Sequence, residues 1–114
     1  MKVSIAMATY NGADYIEEQL NSFISQTRQP DELIITDDCS TDSTYQIVTD
    51  FSKKAPFDVV FSINNHNLGY TGNFNQALSK ATGDIVILVE GDATFRSRDI
   101  YKMYEYIKDC DMVI

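Results

Sequence analysis

Asp84-Ile85-Val86-Ile87-Leu88-Val89-Glu90-Gly91-Asp92 is the stretch that decides the fold. Residues 85–89 form an unbroken apolar run, which stops in a carboxylate, a glycine and a second carboxylate. A continuous run rich in Ile and Val predicts a strand buried on both faces, as in a parallel sheet covered by helices. Acids directly after such a strand stand at its carboxyl end. That edge is where open α/β sheets take their ligands.

Working outward, the same alternation recurs. Residues 3–8 are a short apolar run ended by the turn residues of Thr9-Tyr10-Asn11-Gly12. Asp14 and Glu17 have the spacing of a capping pair, and Ile16, Leu20, Phe23 and Ile24 recur at helical spacing to about Gln26. Gln29-Pro30-Asp31 breaks that helix. Residues 33–36 are a second buried strand ending in Asp37-Asp38, and Ile47, Val48 and Phe51 mark a second helix. Residues 59–63 read as a third strand. Phe74, Ala77, Leu78 and Ala81 then give a third helix, with Gly83 placed to close it. Beyond the opening stretch, Ser97 is positioned to cap a last helix whose Ile100, Met103, Tyr104 and Ile107 share a face. Residues 111–114 look like the start of a fifth strand. Strands alternating with helices imply parallel pairing and right-handed crossovers. The expected class is α/β, a three-layer αβα sandwich with a mainly parallel sheet. Because the sequence stops inside an apolar run, a fragment of a longer protein is expected.

Composition sets limits. With 114 residues a single domain is expected, and 44% hydrophobic content allows a real core. A net charge of −8 argues against nucleic acid or an anionic membrane surface as partner, since both attract Lys and Arg clusters. A phosphorylated ligand would have to be held by a metal, by helix N-termini or by local basic residues. Cys39 and Cys110 have no metal-ligand spacing and read as free thiols of a reducing compartment. No signal peptide or membrane span is visible, so the expected location is cytoplasmic, including the inner face of a membrane.

In a parallel sheet every carboxyl end lies on one edge. Residues 8–11, Asp37, Asp38, Glu90 and Asp92 therefore gather there. Four carboxylates on one edge repel unless a cation or hydrogen bonds offset the charge. Oxygen ligands suit Mg²⁺ or Mn²⁺, held by one or two carboxylates plus substrate phosphates. Gly91 between the acids permits a sharp turn and close approach of a ligand. The competing reading is that the acids are only helix caps and solvated turn residues. It weighs most for Asp37, and Asp42 is read as a cap or first-turn acid. Dinucleotide and P-loop fingerprints are absent. His66 reads as a solvated loop residue. Of Tyr101, Tyr104 and Tyr106, Tyr104 is expected in the core.

Several blocks, in order, resemble the family 2 glycosyltransferases. Val3-Ser4-Ile5-Ala6-Met7-Ala8-Thr9-Tyr10-Asn11 is similar to their opening, and Ile16-Glu17-Glu18-Gln19-Leu20 with Ser25-Gln26-Thr27 to their first helix. Asp37-Asp38-Cys39-Ser40-Thr41-Asp42 resembles their D-D-x-S-x-D segment. Asn67-Leu68-Gly69, Asn73-Phe74-Asn75 and Ala81-Thr82-Gly83-Asp84 match the next blocks, the Asn-Phe-Asn form being similar to a rhamnosyltransferase-like branch. Glu90-Gly91-Asp92 stands where their D-x-D metal motif stands. The resemblance implies a GT-A fold and inverting transfer of a sugar from a nucleoside diphosphate donor, UDP- or dTDP-linked. The acceptor would be a saccharide or lipid-linked molecule of cell-surface polysaccharide synthesis.

By the same resemblance, the backbone of Ala8, Thr9, Tyr10 and Asn11 and the Asp38 carboxylate would contact the base, and Asp37 would support ribose or loop. Asn73 or Asn75 would shape the donor pocket. Asp92 would ligate the metal, with Glu90 near the ribose or the metal, and Gly91 would lie at the donor. Glu90 is one methylene longer than the aspartate expected at the first acid. The general base and the acceptor-binding half would follow Ile114, so this chain alone is expected to be the inactive donor-binding part, open to self-association into a homo-oligomer. Two other classes stay open: a non-catalytic nucleotide-sugar-binding domain, and a receiver-like signalling domain. The receiver would need paired acids after the first strand, where this sequence has none.

Overall fold

The computed structural model describes residues 1–89 and 98–107. The elements alternate as expected: β1 (Val3–Thr9), α1 (Ile16–Ile24), β2 (Glu32–Asp37), α2 (Thr44–Lys54), β3 (Asp58–Ile63), α3 (Gly69–Lys80), β4 (Ile85–Val89) and α4 (Asp99–Ile107). The described strands form one sheet in the order β3-β2-β1-β4, with every pairing parallel. The expected fifth strand, Ser97 and Cys110 lie outside the described residues.

Strand alternation divides the core in two. Val3, Ile5 and Met7 of β1, Leu33 and Ile35 of β2, and Ile85, Ile87 and Val89 of β4 point to one face. There they meet Ile16, Leu20 and Phe23 of α1, Val48 and Phe51 of α2 and Ile100 of α4. Ala6 and Ile34 point to the other face, under Ala77 of α3. The register puts Leu88, Ala6, Ile34 and Val60 in one row across the sheet. The two middle residues are fully buried, whereas Leu88 is 54% and Val60 42% exposed. Among the described residues a single helix covers this face, and it packs chiefly on the two central strands.

Two expectations change in detail. The amino end of α1 has Tyr15 at its cap with no side-chain bond. The Gly12 carbonyl already takes the N–H groups of Tyr15 and Ile16, at 3.1 and 2.9 Å, so the Asp14/Glu17 pair does not form a capping box. Gly83 does not close α3, which ends at an extended Ala81. Gly83 is small for another reason: a Cβ there would lie 2.9 Å from both the Lys2 carbonyl oxygen and the Ser4 nitrogen. Leu78 and Met103, which mark the helical stripes, are 45% and 36% exposed. Helical spacing identifies a stripe, but α3 turns Asn73 and Ala77 inward and Leu78 falls at the stripe's edge. Tyr104 packs half-buried against the core as expected, under the Arg28 guanidinium at 5.0 Å.

Candidate active site at the carboxyl edge

The carboxyl ends of β1 and β2 are welded before they are free to bind anything. The Asp38 N–H donates to the Thr9 carbonyl at 2.9 Å, and the Asn64 N–H to the Asp37 carbonyl at 2.8 Å, so the ladder runs one step past the strands. Asp37 is buried. Its Oδ1 accepts from the hydroxyls of Thr9 (2.7 Å) and Ser40 (2.6 Å), and its Oδ2 accepts the Ser40 N–H at 2.8 Å. Asp37 thus ties the end of β1 to the loop after β2.

The β1–α1 and β2–α2 loops are stitched together in the same way. The N–H groups of Asn11, Gly12 and Ala13 donate to Ser40 Oγ, Thr44 Oγ1 and Asp42 Oδ2 at 2.8, 3.1 and 3.0 Å. Asn11 Oδ1 returns the favour by accepting the Thr41 N–H at 2.8 Å. Asn11 and Cys39 hold left-handed backbone conformations, with φ of 48° and 65°. For residues other than glycine that conformation persists only where the surroundings fix it, as these bonds do. Asp42 accepts the Thr44 N–H and hydroxyl at 3.0 and 2.6 Å, which is the capping role expected of it.

Asp38 is also buried, and its carboxylate caps the start of α3. Oδ1 accepts the Leu68 N–H at 2.7 Å and the Asn64 side-chain amide at 3.0 Å, while Oδ2 accepts the Gly69 N–H at 3.0 Å. The Asn67 amide donates to the Asp38 carbonyl at 2.9 Å. Burial pushes the Asp38 carboxyl up, but the Leu68, Asn64, Gly69 and Asn67 donors outweigh it and hold it below the usual carboxylate range. Gly69, at φ +79°, supplies the turn that aims these amides at the acid. Repulsion between neighbouring carboxylates is thus offset by hydrogen bonds at Asp37 and Asp38.

A cavity of 440 Å³ opens beside this cluster. Ala8, Thr9, Tyr10, Asp38 and Asn73, all expected at the site, line it. Asn73 is buried, donates to the Thr9 carbonyl at 3.1 Å and accepts from Asn64 at 3.0 Å. Asn11 and Asp37 stand behind the wall as supports, and Asn75 is exposed on the outer side of α3. Glu90, Gly91 and Asp92 lie outside the described residues. The sequence reading missed Tyr15 and Gln19 of the α1 side and Tyr70 at the start of α3, which also line the cavity. A glutamine inside an apolar helical stripe, between Ile16 and Leu20, was the signal available for Gln19.

Among the described residues no three acids, histidines or cysteines gather to hold a metal. Asp37 and Asp38 spend their oxygens on the chain's own donors. No helix of the described residues is long and apolar enough to cross a membrane.

Comparison with known proteins accounts for this arrangement. The chain is 32% identical over 113 residues to an uncharacterized glycosyltransferase of Nostoc sp., covering 99% of this chain and 35% of that protein. It is 40% identical over 95 residues to the poly(ribitol-phosphate) beta-N-acetylglucosaminyltransferase TarS of Staphylococcus aureus, covering 81% of this chain and 16% of that one. The chain therefore spans 35% and 16% of the length of these two relatives. The crystal structure of TarS 1-349 with UDP-GlcNAc superposes with a TM-score of 0.85 at 33% identity, over 96% of this chain and 32% of that one. The mannosyltransferase PcManGT of Pyrobaculum calidifontis, with GDP-Man and Mn²⁺, superposes with a TM-score of 0.85 at 28% identity, over 98% and 33%. These are GT-A glycosyltransferase structures, and the parallel α/β sheet described above is their fold. The receiver-like alternative is overturned, because the profile of Glycosyl transferase family 2 matches residues 4–114. With that match covering nearly the whole sequence, the chain belongs to glycosyl transferase family 2.

Proposed function

We propose that residues 1–114 are the nucleotide-sugar-binding part of an inverting glycosyltransferase, whose acceptor-binding half and general base lie in further polypeptide. The donor is a UDP- or dTDP-linked hexose or deoxyhexose. The acceptor is a saccharide or lipid-linked molecule of cell-surface polysaccharide synthesis, a reading supported by the likeness to TarS. The observation that carries it is the 440 Å³ cavity at the carboxyl edge, whose lining includes Ala8, Tyr10, Tyr15, Asp38 and Asn73. Its size lies within the roughly 300–1,000 Å³ of small-molecule sites, and its few convergent polar groups suit a base with a polar edge and an apolar face. Asp38 would accept a ring N–H of the base, and Asn73 would hold the end of β1 beneath it. Because the neighbours include complexes with UDP-GlcNAc and with GDP-Man, the fold alone does not choose the base.

Since Asp37 and Asp38 are engaged by the chain's own donors, Asp92 and Glu90 are the residues assigned to hold Mg²⁺ or Mn²⁺. The bound ion would neutralise charge on the departing diphosphate. Calorimetry of UDP against the full chain, with Mn²⁺ and with a chelator, tests the reading. Metal-dependent binding is expected, and Asp92→Ala should abolish the metal dependence. No nucleotide binding by a folded sample would refute the donor site. Binding without transfer once the remaining polypeptide is supplied would leave the non-catalytic alternative standing.

A further inference from the structure

Asn64 has no role in the reading above, yet it sits between the two polar groups that matter most. Its side-chain nitrogen donates to Asp38 Oδ1 and to Asn73 Oδ1, each at 3.0 Å. Chemistry fixes this orientation. An ionised carboxylate only accepts, so the Asn64 nitrogen must face it. The constraint passes on: Asn73 receives that N–H on its oxygen and so turns its own nitrogen to the Thr9 carbonyl. The backbone of Asn64 is held as well, its N–H on the Asp37 carbonyl at 2.8 Å and its carbonyl accepting the Cys39 thiol at 3.2 Å.

A carboxylate offers about four acceptor positions, two on each oxygen. At Asp38, Oδ1 is filled by Asn64 and by the Leu68 N–H, and Oδ2 carries the Gly69 N–H. The Asn67 amide, beside the carboxyl, is bonded to the Asp38 carbonyl at 2.9 Å, so at most one position remains, and it is on Oδ2. Bases differ in what they bring to such a group. Uracil and thymine present one ring N–H between two carbonyls. Guanine presents a ring N–H with an amino group beside it, a pair that asks for both oxygens of a carboxylate.

We infer that Asn64 is a specificity-determining positioning residue. By occupying Asp38 Oδ1, it confines the site to a base that offers one N–H, uracil or thymine, and disfavours guanine. The inference rests on the donor-site reading and adds to it the residue that selects the nucleotide.

The test is calorimetry of UDP and of GDP against the full chain at one Mn²⁺ concentration, for the wild type and Asn64→Ala. The wild type should prefer UDP by on the order of tenfold to a hundredfold, the cost of leaving a buried donor unpaired. Asn64→Ala opens a second position on Oδ1 and should narrow that ratio by about tenfold, chiefly through tighter GDP binding. A merely structural role would weaken both nucleotides alike and leave the ratio where it was, which overturns the inference. Equal affinities in the wild type overturn it too, and need no variant. Should circular dichroism show Asn64→Ala unfolded, Asn64→Ser carries the same expectation, its hydroxyl being too short to reach Oδ1. Binding of neither nucleotide by the wild type contradicts the donor site itself, and the role of Asn64 with it. Binding of both without discrimination contradicts only the role of Asn64.

Discussion

Glu32 at the amino edge of the sheet and Asp38 at the carboxyl edge are both buried carboxylates with three hydrogen-bond donors on them. Glu32 Oε2 accepts from the Ser4 hydroxyl (2.6 Å), the Thr82 N–H (2.8 Å) and the Thr82 hydroxyl (2.9 Å), with Lys2 Nζ 3.6 Å from Oε1. Asp38 accepts from Leu68, Gly69 and Asn64. The difference lies in where the donors come from. At the amino edge two come from Thr82 and one from Ser4 of β1, and the next residue of the turn closes the set, the Gly83 N–H donating to Ser4 Oγ at 2.8 Å. The turn fills the space above the acid. At the carboxyl edge the donors come from the start of α3 and the loop before it, and Asp38 lines a cavity together with Gly69. A buried, fully paired acid is therefore no sign of a site. What marks the site is the space left beside it.

Substitutions at the two edges should separate these roles. The largest effect is expected from Asp38→Ala, which strands the Leu68 and Gly69 N–H groups and the Asn64 amide. Denaturant unfolding should show a loss on the order of 3 kcal/mol, together with loss of nucleotide binding. Gly83→Ala should cost about 1–3 kcal/mol, because its Cβ meets backbone at the amino edge. Nucleotide affinity should be retained, and a matching loss of affinity would show that the edges are not independent. Glu32→Gln, which keeps one acceptor oxygen and loses the charge, should cost about 1–2 kcal/mol, again with nucleotide affinity unchanged.

The same pair predicts an acid response. Burial pushes the Glu32 carboxyl up, but Ser4, Thr82 and Lys2 together hold it below its usual value, as the amide donors do for Asp38. Their folded pKa values lie below the unfolded ones, so the unfolded chain takes up protons first. Stability from both acids is present above the ordinary carboxylate range, about pH 4, and is lost as pH falls through and below it. Glu32→Gln should make that acid loss shallower, measured as unfolding midpoints between neutral and acid pH. An unchanged slope would remove Glu32 from the account.

Much of this was legible in the sequence. Period and punctuation placed all the described strands and helices, because continuous β-branched runs and helical stripes record burial directly. Parallel pairing then carried Ala8, Thr9, Tyr10 and Asp38 to one edge, since every crossover returns a strand in the same direction. The division of labour within Asp37-Asp38 was not legible. Adjacent residues at the strand end face opposite ways, and only geometry shows that Asp37 meets Thr9 and Ser40 while Asp38 meets α3. Asn73 and Asn75 read alike in sequence, yet two residues along a helix turn the second one outward. Tyr15, Gln19 and Tyr70 escaped because a cavity wall assembled from three elements has no local pattern. Gly83 read as a helix stop because glycine after a helix usually is one, whereas here it makes room for Ser4.

The claim that ties the account together is that the carboxyl edge binds the donor and the amino edge only holds the sheet. Titrating UDP with Mg²⁺, which is diamagnetic, into the ¹⁵N-labelled full chain and following amide shifts tests it most directly. The account predicts shifts at Ala8, Tyr10, Asp38, Asn64 and Gly69, with Ser4, Glu32 and Thr82 unmoved. Shifts centred on the amino edge, or none at saturating nucleotide, would contradict it.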